Sequence, residues 1–406
     1  MTSLHVGTLG QPTAGGRSRP GEPLLEVAGL CADYGIGPDA VHAVLDADLV
    51  LHRGEVLGLA GESGSGKSTF AYAATRLLRA PGVITGGSVR FHLGQGRDID
   101  LLAADEAQLR RLRWAHVAVV LQSAMNALNP VFSVGDQLGD VLQAHRPDMD
   151  RAARRDRAVQ LLDMVGITAD RLRSYPHELS GGMRQRVMIA MALALEPQMV
   201  IMDEPTTALD VVTQREILEE LAALRDRLGF AVLFITHDLS LLIEIADSIA
   251  IMYGGRIVER ARATALFRAP RHPYTLGLLG SFPSLHGPRV HMTGIAGSPP
   301  DLRNPPAGCP FHPRCRYVMD RCRTELPPLR PVARADVQNP RVAACWLQDG
   351  SAPPPAELAR PEPGPGPGPD PEPAPDPGLA VGTNRPTAGT GGTVADTGTD
   401  TTGGAA

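Results

Sequence analysis

Residues Gly61-Glu62-Ser63-Gly64-Ser65-Gly66-Lys67-Ser68-Thr69 place three glycines and a lysine between an apolar run, Glu55–Ala60, and a stretch of helical composition from about Ser68 to Arg79. A strand that breaks at glycine and restarts as a helix is the setting of a phosphate-binding loop. The glycines let backbone N–H groups curl around an anion, and the helix that follows presents its positive end to it. Lys67 then reaches the β- and γ-phosphates of a nucleotide while Ser68 ligates Mg²⁺. A glycine-rich turn without a ligand is the competing reading, and composition argues against it. Of the 39 Lys and Arg residues, Lys67 is the only lysine. Arginine serves everywhere else, so this position is one that needs a compact ammonium on a flexible stem.

The 406 residues, 43% of them hydrophobic, suffice for one large domain with appendages. A net charge of -5 argues against a broadly basic nucleic-acid-binding surface. No stretch approaches the ~20 uninterrupted apolar residues of a membrane span, and the Gly/Pro/Ser/Thr-rich start has no apolar signal core. The expected location is therefore the cytoplasm, with membrane contact only through partners. Low complexity marks residues 1–22 and 351–406 as disordered tails. Between them, Leu24–Leu51 reads as short strands and turns, Val89–Leu101 as a hairpin around Gly94-Gln95-Gly96, and Ile249–Arg260 as a hairpin turning at Gly254-Gly255. Buried strands are expected at Val117–Leu121, Met199–Met202 and Ala231–Ile235, and helices at Asp150–Val165 and Met183–Leu195. That alternation predicts a parallel sheet flanked by helices. Prolines rise after about Ala269 and mark a separate C-terminal segment.

The strand Met199–Met202 runs into Asp203-Glu204. Two carboxylates at the C-terminal edge of a parallel sheet stand where ligands gather in α/β folds. Asp203 suits Mg²⁺ through water, and Glu204 suits general-base work on an attacking water. Upstream, Leu179-Ser180-Gly181-Gly182-Met183-Arg184-Gln185-Arg186 begins a second helix at a serine and two glycines. This octet resembles the signature sequence of ABC ATPases, and it precedes Asp203 at the spacing of that family. A serine-capped helix start explains Ser180 but not the whole octet.

The resemblance implies a P-loop NTPase fold of the ABC type: a RecA-like parallel-sheet core, an antiparallel β subdomain and a helical subdomain near 123–197, together spanning 23–268. It also implies ATP and Mg²⁺ as ligands, with roles residue by residue. Tyr34 resembles the aromatic that stacks on adenine. Gly61, Ser63, Gly64, Ser65, Gly66, Lys67, Ser68 and Thr69 form the phosphate loop. Gln122 resembles the glutamine that senses Mg²⁺ and the attacking water, and Leu209-Asp210 the loop that contacts the partner subunit. His237, after the strand Ala231–Ile235, resembles the switch histidine at the γ-phosphate. Ser180, Gly181 and Gly182 face the γ-phosphate held by the other subunit, so hydrolysis requires two such domains head to tail.

Three further segments narrow the resemblance: Gln122-Ser123-Ala124-Met125-Asn126-Ala127-Leu128-Asn129-Pro130, His272-Pro273-Tyr274-Thr275 and Ile295-Ala296-Gly297-Ser298-Pro299-Pro300. They look like the peptide- and nickel-uptake branch of ABC importers, and the likeness covers about Leu24 to Trp346. It implies an ATP-hydrolysing subunit on the cytoplasmic face of the membrane. It also implies two membrane-spanning permease subunits, a homologous second ATPase subunit and, indirectly, an extracytoplasmic solute-binding protein. Peptides, nickel and glutathione all remain open as solutes, because this subunit never touches the cargo. A soluble ABC ATPase acting on nucleic acid is the alternative of another class; such proteins carry long coiled coils or two ATPase domains in one chain, and neither is visible in this sequence.

Four of the five cysteines, Cys309, Cys315, Cys322 and Cys345, crowd into the segment 269–350 with five, six and twenty-two residues between them. The crowding points to metal rather than disulfides. This run resembles the C-terminal extension of the same branch, some members of which hold a [4Fe–4S] cluster. Structural zinc and simple free thiols are the alternatives. Cys31, alone in an apolar strand, is expected in the core, and His312, between prolines, is expected at the surface.

Overall fold

The computed structural model describes residues 21–121, 127–207, 209–281, 294–332, 341–351 and 353–359. The strands are β1 (Pro23–Tyr34), β2 (Val41–His52), β3 (Val56–Ala60), β4 (Gly82–Gly94), β5 (Arg97–Asp100), β6 (Val117–Val120), β7 (Met199–Asp203), β8 (Ala231–Ile235), β9 (Ser248–Tyr253), β10 (Arg256–Arg262), β11 (Arg330–Pro331) and β12 (Val342–Ala343). The helices are α1 (Lys67–Ala74), α2 (Glu106–Leu112), α3 (Val134–His145), α4 (Arg151–Met164), α5 (Gly181–Ala192), α6 (Val211–Leu228), α7 (Leu239–Ile245), α8 (Ala263–Arg268), α9 (Pro273–Gly280) and α10 (Asp320–Thr324).

The strands form a four-stranded antiparallel sheet, β2-β1-β4-β5, and an eight-stranded sheet in the order β11-β12-β10-β9-β3-β8-β7-β6. From β6 to β9 the large sheet is parallel, and β10 to β12 extend it antiparallel. Every residue of β3, β7 and β8 is buried, so these strands read as continuous apolar runs rather than alternating ones. Alternation still decides where each side chain goes. Met199 and Ile201 of β7 join Leu57, Phe70 and the antiparallel sheet in one core. Val200 and Met202 join Phe234 and residues of α3, α4 and α5, such as Leu138, Leu162 and Val187, in the other. Burying each such large side chain contributes about 1.5–3 kcal/mol.

The region expected as short strands, Leu24–Leu51, is instead two twelve-residue strands. Shifts of register break their pairing near Leu30 and Ala32, which blurs the sequence alternation. Helix α1 stops at Ala74 rather than Arg79: Thr75 turns its hydroxyl back onto the Ala71 carbonyl at 2.8 Å, and Arg76 takes φ +56. Helix α5 begins two residues before the expected Met183, because Ser180 caps it by accepting a hydrogen bond from the Met183 N–H at 3.2 Å.

The C-terminal segment packs into the same compact unit. Strand β12 pairs with β10, and β11 with β12, at the edge of the large sheet. Composition assigns all of 351–406 to a disordered tail, but residues 353–359 fold back onto this unit. Leu358 is fully buried and its carbonyl accepts from the Arg271 guanidinium. Apolar burial and a charge-assisted bond hold a stretch whose prolines hide both.

Candidate nucleotide site

At the C-terminal ends of β3, β7 and β8 the chain leaves the sheet three times within a small space. After β3 the loop needs its glycines. Gly61 takes φ +153 and a Cβ there would lie 2.2 Å from the Met252 carbonyl oxygen. Gly66 takes φ +102, and its Cβ would lie 2.2 Å from the Ala43 carbonyl oxygen. The loop is thus pressed between β2 and β9. Lys67 opens α1 and is 6% exposed. Its ammonium donates to the carbonyls of Gly61 and Glu62, both at 2.9 Å, and to Ser65 Oγ at 3.4 Å. Burial lowers its pKa, while Glu204, Asp203 and Glu62 oppose that shift.

Ser68 and Asp203 meet across the sheet, the hydroxyl donating to Oδ1 at 2.9 Å. Tyr72 donates to the other oxygen, Oδ2, at 2.6 Å. Burial first, then this bond, raises the Tyr72 pKa and keeps the phenol protonated as a donor. Asp203 is 1% exposed, so both of its oxygens are held in place by α1. The oxygen-only pair of Ser68 and Asp203 fits a hard cation such as Mg²⁺.

Glu204 follows with φ +47, an uncommon conformation for a side-chain-bearing residue, and its N–H donates to the Ile235 carbonyl at 2.9 Å. Its Oε2 accepts from the Thr207 hydroxyl at 3.1 Å, and its Oε1 lies 3.2 Å from His237 Nδ1. The carboxylate therefore sits between the Thr207 hydroxyl and the His237 ring, with its side chain only 15% exposed. His237 is largely exposed at the end of β8.

The other expected residues are placed as follows. Tyr34 ends β1, with its hydroxyl 3.3 Å from Thr69 Oγ1. Ser180 is exposed at the start of α5, followed by Gly181 and Gly182. A Cβ on Gly182 would stand 2.6 Å from Thr213 Cγ2, so glycine lets α5 approach α6. Asp210 caps α6 by accepting from Val212 and Thr213, bonds that lower its pKa. Gln122 lies outside the described residues.

Sequence reasoning missed Tyr72, Thr207 and Arg314. Tyr72 stands four positions after Ser68, one helical turn along the same face, and that spacing is a legible signal. Thr207 has only its closeness to Glu204 to recommend it. Arg314 is remote in sequence, yet it forms a two-pronged ion pair with Glu62 of the loop at 2.7 and 2.9 Å.

The four crowded cysteines line one cavity of about 10 Å³, with Phe311, His312 and Trp346. All are free thiols. Burial pushes Cys309 up to about 11 and Cys315 up to about 12, and raises Cys345 further, with the neighbouring thiols adding to each shift. Among the described residues, no group of three or more His, Cys, Asp or Glu side chains stands ready to hold a metal ion. The cysteines are gathered but not drawn to a common centre, and the cavity is at the lower limit for a single water. His312 is half-buried at this wall, not exposed, with Nδ1 2.9 Å from the Cys309 carbonyl oxygen. Cys31 is half-buried too, receiving the Asp46 N–H at 3.2 Å.

Residues 44–207 match the family model described as ABC transporter, and residues 258–322 match that of the oligopeptide/dipeptide transporter, C-terminal region. A peptide import ATP-binding protein of Brucella melitensis is 45% identical over 321 residues, 77% of this chain and 94% of that protein. The oligopeptide transport ATP-binding protein OppD of Salmonella typhimurium is 43% identical over 319 residues, 78% of this chain and 93% of that protein. Among solved structures, a dimeric post-hydrolysis ATP-binding cassette bound to ADP and Pi superposes with a TM-score of 0.52 at 27% identity. That match covers 59% of this chain and 99% of the cassette.

Proposed function

The chain belongs to the ABC transporter ATP-binding family, in the branch with the oligopeptide/dipeptide-transporter C-terminal region, and we propose that it hydrolyses ATP to drive peptide import. The observation that carries this reading is the meeting of Lys67, Ser68, Asp203, Glu204 and His237 at one edge of the parallel sheet. Lys67 and the loop N–H groups receive the β- and γ-phosphates, and Thr69, Ser63 and Ser65 complete that cradle. Ser68 and Asp203 hold Mg²⁺, which when bound neutralises charge on the β- and γ-phosphate oxygens. Glu204 accepts the proton of the attacking water, and His237, within reach of that carboxylate, steadies the γ-phosphate side. Tyr34 packs on the adenine. Gln122 is assigned the link between Mg²⁺ and the helical subdomain.

Ser180, Gly181 and Gly182 act in trans: the start of α5 in a second ATPase subunit closes over the phosphate, giving a head-to-tail dimer. The dimeric form of the ADP-bound cassette supports that arrangement. Two permease subunits receive the motion, an extracytoplasmic binding protein delivers the solute, and this subunit sits peripherally on the cytoplasmic face. Among the described residues no helix is long and apolar enough to cross a membrane. Peptide is preferred to nickel or glutathione because the relatives at 39–47% identity are named for peptide or oligopeptide transport. Reconstituted with its permease subunits and binding protein in liposomes, the chain is expected to support ATP-dependent uptake of a labelled peptide. Hydrolysis that the peptide-loaded binding protein fails to stimulate would refute the reading.

The four cysteines are proposed to hold a [4Fe–4S] cluster, with zinc as the alternative. Four thiols without a disulfide around one small cavity support a soft-metal site. Loading requires the thiols to ionise and the cavity to widen, so the metal must repay the raised pKa values of Cys309, Cys315 and Cys345. Protein purified without oxygen is expected to be brown, with iron and sulfide each near about four per chain. A colourless, zinc-loaded or metal-free preparation counts against the cluster.

A further inference from the structure

An acidic residue inside a phosphate-binding loop is a liability, because its charge repels the triphosphate the loop must receive. Glu62 occupies that position, directly after Gly61. Its carboxylate is one of three that act on the Lys67 ammonium, so it lies within electrostatic reach of the phosphate-binding group. Several hydrogen bonds fix the residue. Its carbonyl accepts from Lys67 Nζ at 2.9 Å, its N–H donates to Tyr274 Oη at 2.8 Å, and its carboxylate is gripped by Arg314 at 2.7 and 2.9 Å. Tyr274 and Arg314 both come from the C-terminal extension.

Arg314 is built for the task. All five of its N–H groups are used: two on the Glu62 oxygens, one on Tyr253 Oη at 3.3 Å, one on the Ile295 carbonyl at 3.3 Å and one, from Nε, on the Ala296 carbonyl at 3.0 Å. Its side chain is 5% exposed, so solvent screens this pair far less than a surface pair. The chain around it is seated on the same loop. Pro310 packs against Gly254, and the Gly255 N–H donates to the Ser65 carbonyl at 3.2 Å.

Building on the nucleotide-site reading, we infer that Arg314 is a positioning residue for ATP binding: its guanidinium cancels the Glu62 charge and fixes the loop from the C-terminal extension. The extension is thereby a working part of the nucleotide site and not only a neighbour of it. Cys315 follows Arg314 directly and Pro273, next to Tyr274, lines the same cysteine pocket, so both of these contacts between the extension and the loop adjoin that pocket.

The test is equilibrium binding of MgATP and MgADP to the full-length chain. Arg314→Ala and Arg314→Gln are each expected to weaken MgATP by about tenfold, equivalent to ~1.4 kcal/mol, and MgADP by less, because the repulsion grows with phosphate charge. Adding Glu62→Gln to Arg314→Gln is expected to restore most of the MgATP affinity by removing the uncompensated carboxylate. Arg314→Lys is expected to recover only part of it, since an ammonium cannot serve five fixed acceptors. Wild-type affinity in Arg314→Gln, an equal loss for both nucleotides, or a double variant as weak as the single one would each overturn the inference. If Arg314→Ala does not fold, the two Gln-bearing variants decide. Wild-type protein that binds no nucleotide would instead sink the nucleotide-site reading itself.

Discussion

Glu204→Gln is expected to bind MgATP about as well as the parent and to hydrolyse it about 10²–10⁴-fold more slowly, the range a general base contributes. The substitution keeps the shape of the side chain. One amide oxygen can still accept from the Thr207 hydroxyl, and the other terminal atom still faces His237 Nδ1, contacts of 3.1 and 3.2 Å in the parent. The positive φ of +47 is equally costly for Gln and Glu, so the turn after β7 is not destabilised further. Only the proton acceptor is lost. Binding without turnover then traps the closed pair of subunits, which are expected to elute as an ATP-bound dimer during gel filtration. Single-turnover phosphate release measures the chemical step directly. Undiminished steady-state hydrolysis would remove Glu204 from the base role and leave His237 as the nearer candidate.

What the sequence reveals here follows from how far apart the interacting residues lie. The loop 61–69, the carboxylates 203–204 and the cap at Ser180 are contiguous, and each carries its own local physics of glycine turns, strand ends and helix caps. Strands β3, β7 and β8 were readable because burial on both faces leaves an unbroken apolar run. The contacts that join these pieces are not local. Tyr72 reaches Asp203 across 131 positions, Tyr274 reaches Glu62 across 212, and Arg314 reaches Glu62 across 252. No periodicity or propensity registers a pair at that distance. The same limit explains the segment 353–359, where proline content masks a single buried leucine and one arginine-bound carbonyl. The cysteines show an intermediate case. Their crowding was visible and their shared cavity follows from it, but whether four thiols converge on a centre depends on backbone placement that spacing does not encode.

Lys67→Ala is expected to lower MgATP affinity by about a hundredfold or more, beyond the reach of an ordinary equilibrium titration at micromolar protein. Two losses combine. The ammonium is the buried cation at the head of α1, and a charge-assisted bond to a phosphate oxygen in such a place contributes about 1.5–3 kcal/mol. Its removal also takes away a positive charge that offsets Glu204 and Asp203, so an arriving triphosphate meets a more negative site. Lys67→Arg should fare little better. The parent ammonium fits among the Gly61 and Glu62 carbonyls and Ser65 Oγ at 2.9 to 3.4 Å, too close a setting for a planar fork. Retained affinity in Lys67→Ala would overturn the phosphate-loop assignment, and with it the reason this arginine-rich chain keeps a lysine at that one position.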